Sequence, residues 1–227
     1  LSFMSGNGRF LGRVTGEVKG NVALRKQQYR LSDNKVESIK IARNFILGKV
    51  YNSRWILERA ARDYAMRLDA DNIRKKSAFL FQSMEKIRNC ETADELLGLE
   101  GEAASVYFSV FDQLILQQKE AFFFHGRNKR PPLDNVNAML SFGYSLLAGV
   151  CGAALEAVGL DPYVGFYHTD RPGRISLALD LMEEFRGVMV DRFVLTLINK
   201  RIMKPENFIK KEIRNGRFLP HVTNLQL

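Results

Sequence analysis

Cysteine, histidine and tryptophan are scarce in this 227-residue chain, with two, three and one of each. The two cysteines, Cys90 and Cys151, lie far apart in helix-like segments. That spacing excludes a cysteine zinc pair and a disulfide framework, so both read as small core residues in a reducing compartment. Long apolar runs are also missing: none approaches the ~20 residues that span a bilayer. Gly and Arg interrupt the opening LSFMSGNGRFLGRVTG, where a signal peptide needs an unbroken apolar region. The expectation is a soluble, cytoplasmic protein with no membrane partner. There is no initiator Met, no internal repeat and no low-complexity segment.

What is present supports a real core: 46% of residues are hydrophobic and 26% charged. The length suits one large domain, or one domain plus a fragment. The net charge of +9 is unevenly spread. Residues 1–90 hold 19 Lys/Arg against 8 Asp/Glu, a balance of +11, and residues 91–227 hold 15 against 17, a balance of −2. A basic half beside a slightly acidic one points to a polyanion-binding surface next to something that wants carboxylates, and nucleic acid is the natural polyanion.

LSFMS and RFLGRV flank the turn residues Gly6-Asn7-Gly8, a strong hairpin signal. A lone hairpin is marginal in water, so these strands predict an upstream β domain to pack on. GNVALRKQQYRLSD then reads as a linker with a basic stripe of Arg25, Lys26 and Arg30. From Asp33 the period turns helical, with Ile39, Ala42, Phe45, Ile46 and Val50 at i, i+3, i+4 spacing. A stretch from Arg54 to Leu68 puts Leu57, Ala61, Tyr64 and Leu68 on one face, and Ile73 to Ile87 gives a third, mixed helix. Thr92 and Glu95 form a capping box that opens a helix to about Lys119. Asp134 is a good N-cap for a run from Asn135 to about Val158, apolar on most sides and therefore the expected central helix. A last long helix starts near Ser176. The expected fold is mainly α: residues 1–30 end a β domain and its linker, and 31–227 form a large helical domain.

Three stretches carry candidate chemistry. In HTDRPGRISLALDLMEEFR, His168 sits in a loop-like segment twelve residues before the cluster Asp180, Glu183 and Glu184. Ala178, Leu181, Met182, Phe185, Val188 and Met189 form an apolar stripe, and the pattern alone puts the acids opposite it, on a solvated face. Glu100 shares a face with Ala103, Ala104 and Tyr107. It reads either as an inward carboxylate needing a partner or as a surface acid. HGRNKRPPLDNVNAML packs Arg127, Lys129 and Arg130 into a turn, either for phosphate contact or as a solvated basic loop.

Four stretches in sequence order, GNVALRKQQYR, LLGLEGEAASVYF, GRNKRPPLDNVNAMLSFGYSLL and GFYHTDRPGRISLALDLMEEFR, span about Gly20 to Arg192. Together they resemble the Cas-one family of CRISPR-associated proteins, integrases that insert new spacers into a CRISPR array, with wording closest to type I systems. The resemblance implies a metal held by Glu100 of GLEG, His168 of GFYHTD and Glu183 of DLMEEF, with Asp180 in a supporting role. Such ligands suit Mg²⁺ or Mn²⁺, and one imidazole tilts the choice toward Mn²⁺. It further implies strand transfer on double-stranded and branched DNA, a homodimer, and a small partner protein, Cas-two. Arg54, Arg59, Arg62, Lys75 and Lys76, with the 127–130 loop, are the candidates for DNA backbone contact. The tail from Asn207 to Leu227 does not match the family's usual ending. A helical DNA-binding module without catalysis is the alternative that explains the basic half equally well.

Overall fold

Side-chain caps set where the helices begin. In the computed structural model, which describes residues 2–4, 10–14, 21–129, 131–213 and 217–222, Asn21 accepts from the Ala23 N–H and opens α1 (Val22–Asp33). Asn34, in an extended conformation, breaks the chain and caps α2 (Lys35–Asp63) through the N–H groups of Val36 and Glu37. Asp69 caps α3 (Ala70–Asn89), Thr92 caps α4 (Ala93–Ser109) and Asp134 caps α5 (Asn135–Ala157). Each cap satisfies an amide left over by the first helical turn. In α4 the expected Glu95 is present, but it reaches back to the Glu91 N–H instead of the cap residue's own.

The last helical run holds α6 (Ser176–Phe185), a π-helical turn over Arg186–Asp191, and α7 (Arg192–Asn199). β1 (Ser2–Met4) and β2 (Phe10–Arg13) pair antiparallel, as do β3 (Phe208–Ile213) and β4 (Arg217–Val222). Among the described residues each hairpin pairs only with itself. The turn Gly6-Asn7-Gly8 lies outside the described residues.

Several boundaries differ from the sequence reading. The supposed linker is mostly α1. Its buried anchor is a polar side chain, Gln28, which donates to the carbonyls of Asp161 (2.7 Å) and Val164 (2.8 Å) and accepts from the Asp161 N–H, with Arg25 and Tyr29 adding bonds to Gly159 and Asp161. An apolar period could not reveal a helix docked by an amide. The next two predicted pieces are one 29-residue helix, α2, which ends at Asp63 and not Leu68. α4 stops at Ser109, ten residues early, where Phe108 and Phe111 close on Phe124 and the chain turns 3-10 over Phe111–Leu114. The last described segment is a hairpin, so among the described residues α-helix ends at Asn199.

α2 and α3 pack along their length, and α5 lies against α6 and the π turn. Ile46, Leu57, Ile73, Leu80 and Leu140 are fully buried, each stabilising the fold by about 1.5–3 kcal/mol. α5 corrects one expectation, since its 23 residues do meet the length and hydropathy of a membrane-crossing helix. Here it is a core helix, with Val136, Leu140, Tyr144, Leu147 and Leu155 buried within the protein. Gly143 lets the π turn approach: a Cβ there would lie 2.6 Å from Val190 Cγ1.

Candidate metal centre

The loop before α6 closes around one carboxylate. Asp180 is fully buried, and its Oδ2 accepts the N–H groups of Phe166 (2.6 Å) and Tyr167 (2.9 Å). Its Oδ1 accepts the His168 N–H (2.8 Å) and faces His168 Nδ1 at 2.7 Å. Because Asp180 accepts at every contact, Nδ1 is the donor, and in the neutral ring Nε2 is then the nitrogen with a lone pair for a ligand. Gly165 makes the wrap possible, since a Cβ there would come within 2.8 Å of Ser176 Cβ and 2.9 Å of Asp180 Oδ2.

A second cluster joins three helices. Lys49 of α2 reaches Glu100 of α4 and lies 2.7 Å from Oε2 of Glu183 on α6. Arg186 donates to the other Glu183 oxygen at 2.6 Å. The Lys49–Glu183 contact is an ion pair whose angle misses hydrogen-bond geometry. Burial pushes the Glu183 carboxyl up, but Lys49 and Arg186 outweigh it and bring the pKa down to about 2. The Tyr167 hydroxyl stands 3.5 Å from Glu100, and burial followed by that carboxylate raises its pKa far above the usual phenol.

The burial of these acids overturns the pattern-based reading of α6. Asp180 and Glu183 are buried, Glu184 is half-buried with its side chain against Gly48, while Phe185 and Met189 are exposed. Four donors on Asp180 and two cations on Glu183 offset the desolvation that favours a solvated acidic face. The π turn also breaks the apolar stripe, since i→i+5 bonding rotates everything after Phe185.

That same turn places Arg186 and Asp191 on one side of the helix. Asp191 is buried and accepts from the hydroxyls of Tyr107 (3.0 Å) and Tyr144. Burial raises its pKa against the pull of Tyr144 and Arg186. The Arg186 guanidinium sits 4.2 Å over the Tyr144 ring. A cavity of about 610 Å³ opens here, lined by Lys49, Glu100, Arg127, Lys129, Tyr144 and Arg186 among others. Arg127 is held by Asn137 (2.7 Å) and Ser141 (3.0 Å). Much of Lys129 meets solvent, yet burial of its ammonium, then Arg186, lowers its pKa.

The structure therefore gathers Glu100 and Glu183 on one ammonium and ties His168 to Asp180. Among the described residues no three of His, Cys, Asp and Glu stand together as a ready cage. The donor types still suit a divalent ion: two carboxylates from separate helices already converge on a cation, and the His168 ring, held through Nδ1 by Asp180, has Nε2 as its remaining nitrogen.

The DNA-contact candidates separate by environment. Arg54 stacks over Trp55 (5.2 Å) and Phe81 (5.3 Å) and faces Glu58, so its side chain is largely used within the fold. Arg59 and Arg62 are exposed and share Asp63. Lys75 is exposed and Lys76 half-buried on α3. Arg130 lies outside the described residues. The sequence reading missed Lys49, Tyr144, Arg186 and Asp191. A signal existed for the first: Lys49 falls on the stripe of Ile46, Val50, Ser53 and Leu57, where a cation needs a buried anion.

The family model described as CRISPR associated protein Cas1 matches residues 1–221. A CRISPR-associated endonuclease Cas1 of Chlorobaculum tepidum is 45% identical over 208 residues, 92% of this chain and 61% of that protein. A solved structure of a casposase bound to its integration product is 30% identical, with a TM-score of 0.78 over 98% of this chain and 58% of that one. A partial Cas6-RT-Cas1–Cas2 complex gives 25% identity and a TM-score of 0.81 over 98% and 64%. The chain thus spans about three fifths of the length of the curated relatives it matches first. With residues 1–221 matched and the Glu100, His168 and Glu183 motifs built around one helical core, this chain belongs to the Cas1 family of CRISPR-associated endonucleases.

Proposed function

We propose that this chain carries the metal-dependent catalytic centre of a DNA integrase of CRISPR adaptation. The observation that carries the reading is the convergence of Glu100 and Glu183 on a single cation beside a cavity lined by Arg and Lys. Glu100, His168 and Glu183 would hold Mg²⁺ or Mn²⁺. When bound, the ion supplies Lewis acidity to the scissile phosphate and offsets charge on the attacking and leaving oxygens.

The reaction is a transesterification. A 3′-OH of a captured DNA fragment forms a bond to phosphorus at the repeat border, and the displaced strand leaves as a new 3′-OH. With water as nucleophile the same site cleaves DNA. The chain's own groups bind and orient. Asp180 fixes the His168 tautomer, Arg186 fixes Glu183, and Lys129, which has no ion pair among the described residues, offers an ammonium to a phosphate oxygen. Two structural neighbours, a casposase bound to an integration product and a partial Cas6-RT-Cas1–Cas2 complex, support DNA and a Cas2 partner; the resemblance to the family adds a second copy of this chain to the proposal.

Nicking and strand transfer on branched DNA, assayed with Mn²⁺ or Mg²⁺, test the proposal. Metal-dependent joining that disappears in Glu100→Ala and His168→Ala while DNA binding survives is the expected result. Binding with no metal-dependent cleavage or joining would make the chain a non-catalytic helical DNA-binding module.

A further inference from the structure

We infer that Lys49 is a built-in counter-cation for the Glu100–Glu183 pair, which a divalent ion must displace in order to bind. The inference rests on the metal reading of this site. Three observations carry it. The Lys49 ammonium contacts both carboxylates, and among the described residues it has no other hydrogen-bond or ion-pair partner. Its side chain is only 15% exposed, so water does little of the work of solvating it. The second Glu183 oxygen is already taken by Arg186, so Oε2, the atom facing Lys49, is the one left for a metal.

An ammonium 2.7 Å from a carboxylate oxygen and a metal at ~2.0–2.6 Å from the same oxygens cannot share one gap. The two cations exclude each other. The cavity gives the displaced ammonium somewhere to go, because Lys49 is part of its lining. Once turned there, it joins Lys129, Arg127 and Arg186 on a surface suited to phosphate. Metal entry and phosphate-site assembly are thereby coupled through one side chain. Without Lys49, Arg186 still holds Glu183, and the helices that carry both carboxylates are fixed by buried Leu96, Ala103, Ala178 and Met182. Removing the lysine therefore removes a competitor while the ligand-bearing helices and the Arg186–Glu183 pair stay in place.

The test is Mn²⁺ binding to the full chain, read as loss of the free-ion electron paramagnetic resonance signal, in wild type, Lys49→Met and Glu183→Gln. We expect Lys49→Met to bind Mn²⁺ about tenfold tighter than wild type or more, and Glu183→Gln to bind it far more weakly. Binding that depends on Glu183 but is equal or weaker in Lys49→Met overturns the inference and leaves the metal reading intact. Wild-type binding that does not respond to Glu183→Gln overturns both. If Lys49→Met does not fold, the wild type decides. Acetylation of Lys49, followed by peptide mass spectrometry, should run several-fold faster with saturating Mg²⁺ while the exposed Lys75 is unchanged, and an unaltered Lys49 rate overturns the inference.

Discussion

Asp180 holds His168 twice, accepting its backbone N–H at 2.8 Å and facing its ring Nδ1 at 2.7 Å. One buried carboxylate thus sets both the path of the loop and the tautomer of the ring. Asp180→Ala should cost at least about 3 kcal/mol, because it strands buried donors. Metal affinity should fall about 10–100-fold, the usual effect of removing the group that orients a metal-binding histidine. Chemical denaturation and Mn²⁺ titration check the two effects, and wild-type affinity in a folded Asp180→Ala would remove the aspartate from any positioning role.

Glu183 and Glu184 are neighbours with different fates. Glu183 is buried between Lys49 and Arg186, whereas Glu184 rests against Gly48. Glu183→Ala should abolish metal-dependent strand transfer while DNA binding survives, and Glu184→Ala should keep substantial activity. A nicking and strand-transfer assay in Mn²⁺ compares them. Full activity in Glu183→Ala would falsify its assignment as a ligand.

Gly165 tests the loop without removing a charged group. A Cβ there collides with Ser176 and Asp180, so Gly165→Ala should destabilise by about 1–3 kcal/mol, as overpacking does. Gly173, whose added Cβ would meet nothing within 4 Å but whose φ is +73°, should cost about 1 kcal/mol through backbone strain alone when replaced by Ala. Thermal melts rank the pair, and equal costs would mean that the loop around Asp180 yields easily.

The low Glu183 pKa makes a signed prediction for the metal-free chain. Its folded value, about 2, lies below the ordinary 4.5. The stabilisation, roughly 3 kcal/mol by linkage, is complete above pH 4.5 and lost as pH falls toward 2. Asp191, raised by burial, pulls the other way but is shared by both proteins compared. Denaturation of wild type and Glu183→Gln from pH 7 to 2 should show their stability difference shrinking across that window. A constant difference would mean that Glu183 titrates normally.

DNA binding should be salt-sensitive, and the structure redistributes its contributors. Replacing Arg59, Arg62, Lys75 and Lys76 with Ala should flatten the slope of log affinity against log salt, by up to ~0.9 for each phosphate no longer neutralised. Arg54→Ala should mainly lower stability, since that guanidinium packs on Trp55 and Phe81. Fluorescence anisotropy over a salt series reads the first effect, and an unchanged slope would make the four residues a solvated face.

The sequence by itself determined the helical class, the caps at Thr92 and Asp134, the central apolar helix and the order of the Glu100, His168 and Glu183 motifs. These are local matters: a cap needs one side chain and the next two or three amides, and an apolar helix is visible wherever its period is. Tertiary structure alone decided that α6 buries its acidic side, because that choice depends on Lys49 and Arg186 reaching Glu183 and on a loop wrapping Asp180. It also decided that α1 is a helix anchored by Gln28, and that a π turn swings Arg186 and Asp191 toward one cavity. Burial of a charge is set by partners that the fold brings from elsewhere in the chain, here from 134 residues away for Lys49 and Glu183. A hydropathy pattern reads each segment against water, and in this protein the decisive acids are surrounded by protein instead.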